Sequence, residues 1–241
     1  MEYYYDSSWK LLETGLHFEP RHVFPLFCDQ VWFSDYGCRG TSLKMLQCYR
    51  IPLITMHHPI VGRIIQLFQD RGNGRYGSEA VSQMEHAIQC ALLAVRAGAE
   101  SPLVVAALLH DIGHIIDDHE LPESDEQNLD DLHEQRAYGW LRENFGRAVA
   151  DPVRLHVVAK RYLCTTEPDY VNSLSPTSLK SYHDQGGLMS QSEIDDFRDE
   201  PFAFEAVQLR RWDDLAKDPN LEIPAIKEFI PLLEQLILSP S

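Results

Sequence analysis

From Met56 onward the apolar residues recur every three or four positions, and no stretch alternates apolar with polar. A chain patterned this way has no strand faces to pair and must bury its apolar stripes helix against helix. Punctuation separates the stripes. Ser101-Pro102, Asp151-Pro152 and Ser175-Pro176 each place a capping side chain before a proline, and Ser190-x-x-Glu193 spells a capping box. Ser78 with Glu79 is expected to open a long helix carrying Met84, Ala87, Ile88, Ala91, Leu92 and Val95, which Gly98 ends. Asp130 or Asp131 starts another, with Leu132, Ala137, Trp140, Leu141 and Phe145 inward. Asp151-Pro152 begins a helix over 153–163, and Gln185-Gly186-Gly187 breaks the one that follows Ser175. The last two helices are expected over 202–215 and 223–238. The expected fold is all-α, a bundle of about eight to ten helices.

Residues 1–55 read differently. They are rich in Tyr, Phe and Trp, lack a long helical period and hold Cys28, Cys38 and Cys48. Their 5 basic and 6 acidic residues nearly balance, so almost all of the chain's formal charge of −16 falls later. We read this segment as an extension of unassigned role: a poorly ordered lead-in, a small cap, or a product of start-codon choice, with Met56 able to begin a complete domain over 56–241. The strongly acidic balance argues against nonspecific nucleic-acid binding. It does not argue against a small anionic substrate, because a few local cations reverse the field inside a pocket. No apolar run is long enough to span a membrane, and the N-terminus lacks the basic and apolar regions of a signal peptide. Five cysteines without a C-x-x-C pair suit a reducing cytoplasm.

The chemistry gathers around Leu108-Leu109-His110-Asp111-Ile112-Gly113-His114, where an imidazole and a carboxylate end an apolar run. Adjacent helical residues cannot stack, but they can converge on one object off the helix. His114 lies one turn beyond His110 and is expected to share its face. Other ligand types sit on stripes that otherwise look buried: His86 after Met84, His133 beside Leu132, His156 between Leu155 and Val157, and Asp213 after Trp212. A lone histidine on such a face is ordinarily a satisfied core residue. Five helices each presenting a ligand type are harder to dismiss, because buried charge is costly unless paired or metal-bound. Histidines and aspartates without cysteine favour iron, manganese or zinc at a catalytic site over a closed structural zinc site.

This order of residues resembles the HD-domain superfamily, in its six-ligand, two-metal form, over roughly residues 57–238. The resemblance implies that Asp111 bridges two ions about 3.5–4 Å apart. It places His86, His110 and Asp213 on one ion and His133 and His156 on the other. Asp213 is preferred to the adjacent Asp214 for its spacing from Lys160. A second group of residues narrows the resemblance. Tyr76 and Glu79 precede His86, Lys160 is one turn after His156, and Ser178-x-x-Ser181 is followed by Gln185-Gly186-Gly187. Together these resemble the phosphonate-cleaving branch, the HD-domain mixed-valent diiron oxygenases.

Membership implies a cytoplasmic enzyme with two irons, one ferric and one ferrous, dioxygen as cosubstrate and no organic cofactor. The implied substrate is a small zwitterionic 1-hydroxyphosphonate of the 1-hydroxy-2-aminoethyl type, whose C–P bond is cleaved to phosphate and glycine or an N-methylated analogue. Tyr76 would cap one iron until substrate arrives, and Glu79 would take the cationic amine. His114, Lys160, Ser178, Ser181 and Gln185 are expected around the phosphonate, and His114 can also move a proton near neutral pH. A trimethylated amine would call for an aromatic cage, with Tyr162, Tyr170 or Tyr182 as candidates. The rival reading is a metal-dependent HD phosphohydrolase acting on a nucleotide or other phosphomonoester, which has no need of Tyr76 and Glu79. A sensing or scaffold protein with structural histidines is the non-enzyme alternative.

Overall fold

The computed structural model describes residues 57–116 and 133–238, with side chains from Ala137 onward in the second stretch. The extension 1–55, the acidic stretch 117–131 and Leu132 lie outside the described residues, as does the side chain of His133. Within them the fold is all-α, as expected. Its helices are α1 (Pro59–Arg71), α2 (Gln83–Arg96), α3 (Ser101–Leu109), α4 (His133–Phe145), α5 (Arg147–Thr166), α6 (Pro176–Asp184), α7 (Gln191–Asp199), α8 (Ala203–Leu215) and α9 (Ile230–Leu236). No described helix is long and apolar enough to cross a membrane.

Helix α3 shows why the apolar run precedes His110. Every residue from Leu103 to Leu109 is buried. A helix that is apolar all round belongs at the centre of a bundle, and α3 packs on α2, α5, α8 and α9. Leu108, Leu109 and the following Ile112 are fully enclosed, each contributing about 1.5–3 kcal/mol of burial. Helix α5 is the long strut, packed along α8, α4 and α3. Its first half joins the main apolar core. Further along, Leu155 and Ala159 pack with Met189, Ile194, Phe197 and Ala206 in a second, smaller core.

Several boundaries move from their expected places. Helix α2 begins at Gln83, because Ser82 and Glu85 complete a reciprocal capping box that Ser78, with Val81 three residues on, cannot make. Tyr76 and Glu79 therefore sit in a loop, closed by an antiparallel bridge between Arg75 and Ser82. Helix α5 starts at Arg147 after Gly146, whose φ of 79° suits glycine, and Pro152 lies inside it. Asp151 is not a cap. Its buried carboxylate accepts hydrogen bonds from Tyr138 (3.0 Å) and Arg147 (2.9 Å). The proline forfeits one ladder hydrogen bond, and burial of Val149, Val153 and Leu155 carries the helix through it. The last expected helix is split instead into a 3₁₀ turn, Ile226–Phe229, and α9, because Pro231 can stand only near a helix start.

The most consequential shift concerns His110. Helix α3 stops at Leu109, His110 is its cap, and a 3₁₀ turn, Ile112–His114, follows Asp111. The tighter turn breaks the expected shared face. His110 is fully buried while His114 is exposed, with its backbone N–H bonded to the Asp111 carbonyl at 3.0 Å.

Candidate active site

Helices α2, α3, α5 and α8 each turn one or two ligand-type side chains toward a common point. Backbone carbonyls orient three of the imidazoles. His86 Nδ1 donates to the Ala216 carbonyl (2.9 Å), His110 Nδ1 to Ala107 (2.9 Å) and His156 Nδ1 to Val153 (2.6 Å). A carbonyl only accepts, so each Nδ1 carries a proton, which leaves Nε2 as the atom that can offer a lone pair to a metal. Burial lowers the pKa of His110 and favours its neutral form, although Asp111 and Asp213 pull the other way.

The result is a cluster of acceptors. His86 Nε2 and His110 Nε2 stand 3.1 Å apart. Two lone pairs at that distance cannot satisfy one another. Asp213 Oδ1 lies 3.3 Å from His86 Nε2, and Asp111 Oδ2 lies 3.4 Å from His110 Nε2. Ligands that share one ion at about 2.0–2.2 Å sit at such mutual distances. The donor set therefore fits a divalent or trivalent cation, and His86, His110 and Asp111 converge as a metal-binding group. The other oxygen of Asp111, Oδ1, faces His156 Nε2 at 3.8 Å. Asp111 thus turns one oxygen to each histidine set, the disposition a bridging carboxylate needs.

Arg210 of α8 governs the aspartates. Its Nη1 lies 2.7 Å from Asp213 Oδ2, leaving Oδ1 turned to the imidazoles. Burial alone would raise the Asp213 pKa, but Arg210 and the imidazoles hold it well below the usual carboxylate range. Asp214 faces elsewhere. It accepts from Arg210 Nε (2.9 Å) and from the Tyr170 hydroxyl (2.5 Å). The adjacent aspartates share Arg210 but differ in their other partners, and of the two only Asp213 reaches His86.

A cavity of about 340 Å³ opens beside this cluster. Asp111, His156, Asp213 and Tyr76 are among the residues that line it. Tyr76 stacks on His86 (centroids 3.8 Å apart), and its hydroxyl donates to Asp213 Oδ1 at 3.3 Å. Burial, then Asp111 and Asp213, push its pKa well up, so it remains a phenol. Lys160, Ser178, Ser181, Gln185 and His114 line the cavity as well. Buried Lys160 donates to Ser181 Oγ at 2.6 Å. Burial, with help from Arg210, lowers its pKa to about 8. Gln185 Oε1 is buried there without a hydrogen bond among the described residues. Glu79 also lines the cavity, 3.6 Å from Lys217 Nζ.

Every expected site residue with a described side chain therefore meets at one cluster and its cavity. Arg210 and Lys217 were not expected. Arg210 had a signal, its i,i+3 spacing to Asp213. Lys217 had none, because its partner Glu79 is distant in the chain. The three tyrosines named as candidates for a cage around a trimethylated amine, Tyr162, Tyr170 and Tyr182, do not line the cavity. Tyr162 packs on Phe197, Tyr182 is buried beside a separate shallow cleft, and Tyr170 is held by Asp214.

Comparison with known proteins bears on this arrangement. The HD-domain family pattern matches residues 84–216. Hydroxymethylphosphonate dioxygenase of Gimesia maris is 47% identical over 173 residues, covering 70% of this chain and 84% of that protein. The glycine-betaine-forming [1-hydroxy-2-(trimethylamino)ethyl]phosphonate dioxygenase of Leisingera caerulea is 35% identical over 178 residues, covering 74% of this chain and 90% of that protein. The chain belongs to the HD-domain family, in the branch that holds these phosphonate dioxygenases.

Proposed function

We propose that this protein is a non-haem iron oxygenase that uses dioxygen to cleave the C–P bond of a 1-hydroxyphosphonate. Hydroxymethylphosphonate and its 2-amino- and 2-trimethylaminoethyl homologues all belong to that class. The reaction balances as R–CH(OH)–PO₃H₂ + O₂ → R–COOH + H₃PO₄. One C–H and the C–P bond break, and dioxygen takes up four electrons. The observation that carries the proposal is the pairing, in one cavity, of an inward-facing acceptor cluster with a wall of donors.

His86, His110, Asp213 and one oxygen of Asp111 would hold one iron, and His156 with the other Asp111 oxygen, joined by His133, would hold the second. Bound there as a ferric–ferrous pair, the irons supply Lewis acidity and the one-electron reactivity toward dioxygen that side chains lack. The side chains bind and orient. Lys160, held by Ser181, offers its ammonium to the phosphonate oxygens, and Ser178 and Gln185 add neutral partners. Arg210 keeps Asp213 ionised and aimed, and Tyr76 covers the cluster with its phenol proton on Asp213.

All these residues lie between 76 and 217, so residues 56–241 are proposed as the catalytic unit. Buried Cys90 and Cys164 are free thiols, which supports a reducing cytoplasm. The test follows oxygen uptake and phosphate release together on iron-loaded protein, with a panel of 1-hydroxyphosphonates. Equal uptake and release is the expected result. Phosphate release from phosphomonoesters without oxygen uptake would overturn the proposal in favour of a hydrolase.

A further inference from the structure

The carboxylate of Glu79 already has a cation beside it. Its Oε1 is buried and makes no hydrogen bond among the described residues, and Lys217 Nζ stands 3.6 Å away. Both side chains are largely shielded, 18% and 13% exposed. Lys217 is also firmly placed. Its Nζ donates to Ser178 Oγ at 3.1 Å, with Ser175 Oγ at 3.5 Å and Asp214 Oδ1 at 3.9 Å. It follows Ala216, whose carbonyl holds His86, so its backbone is tied to the metal-binding cluster. Two neighbouring cations are engaged elsewhere: Arg210 with Asp213 and Asp214, and Arg75 with the backbone carbonyls of Ser78 and Glu79.

A substrate ammonium seeking Glu79 therefore meets an occupied site. It must displace Lys217 or crowd beside it, and two cations sharing one shielded carboxylate repel each other more strongly than in water. A substrate with no cation on its second carbon leaves the pair intact, and Lys217 stays available, through Ser178, on the phosphonate side. We propose that Lys217 is a specificity-determining residue: its ion pair with Glu79 makes the site select 1-hydroxyphosphonates without an ammonium over their amino and trimethylammonium homologues. This inference rests on the phosphonate reading above and ranks substrates within it. The discrimination is of the repulsive kind, built against one ligand rather than toward another.

The decisive experiment needs no turnover. Ethylphosphonate and 2-aminoethylphosphonate differ by one ammonium and lack the hydroxyl at which chemistry begins. Calorimetric titration of the iron-loaded protein, without oxygen, should give ethylphosphonate an advantage of about tenfold or more. Lys217→Met should reverse the order by a similar factor, Lys217→Arg should keep it, and Lys217→Met with Glu79→Gln should cancel the reversal. The ratio of kcat/KM for hydroxymethylphosphonate over 1-hydroxy-2-aminoethylphosphonate should follow the same sequence. An unchanged ratio in Lys217→Met, with wild-type iron content and circular dichroism, would overturn the role of Lys217 and leave the phosphonate reading standing. If wild-type protein binds neither phosphonate, the phosphonate reading fails, and this inference fails with it.

Discussion

The two sides of the cavity are built on opposite principles. On the cluster side, the Nε2 atoms of His86, His110 and His156 and the inward oxygens of Asp111 and Asp213 are acceptors with their protons fixed elsewhere. Among the other residues that line the cavity, Lys160, Lys217 and the serine hydroxyls are donors already engaged with protein partners. The first side is underfilled electrostatically and calls for a cation. The second is pre-satisfied and can exchange a serine for a phosphonate oxygen at little cost. Damage to the acceptor side should therefore remove metal, whereas damage to the donor side should weaken substrate binding and leave metal in place.

The largest effect tests that division directly. Asp111→Ala takes away the carboxylate that faces both histidine sets, so iron content should collapse and activity fall by at least about 10³-fold. Measuring iron per chain beside kcat checks it, and full iron retention would break the comparison. Next is Arg210→Met, which removes the guanidinium that buried Asp213 and Asp214 share. The expected cost is about 3–5 kcal/mol of stability, read from denaturant melts.

Lys160→Met should leave iron unchanged and raise KM for the phosphonate by about thirtyfold or more. The pH dependence sharpens this case. The Lys160 pKa lies at about 8, so its charge is present below that pH and lost above it. In the wild type, kcat/KM should decline as pH rises through about 8, and Lys160→Arg should carry the decline to higher pH. The smallest effect belongs to Ser181→Ala. It removes one neutral partner of Lys160 and should raise KM by only about threefold to tenfold.

Much of the acceptor side was legible in the sequence, because a ligand set leaves its mark as rare polar residues on apolar stripes. His86, His110-Asp111, His156 and Asp213 stood out in that way, and each is brought to the cluster. The donor side was legible only in part. Lys160 and the serines followed from the family resemblance, since their spacing alone fits a solvated face equally well. Arg210 and Lys217 passed unseen, because a charged residue near a helix end is ordinarily a solvated one. The same ordinary expectation misplaced Glu79 on a first helical turn, where a carboxylate is favoured by the helix dipole. The capping box at Ser82 moved the helix start and left Glu79 on a loop within reach of Lys217.

By itself, the sequence determined the helical architecture and which ligand-type side chains turn inward. Both depend on local periodicity, capping chemistry and the rarity of buried polar side chains, all properties of neighbours along the chain. Only the tertiary structure decided which nitrogen of each histidine is free, which aspartate faces the cluster, and which cation answers Glu79. Those choices depend on carbonyls and charges brought from distant segments: Ala216 against His86, Tyr170 against Asp214, and Lys217 against Glu79. A folded chain fixes such pairings by what it buries together, and no spacing along the sequence records them.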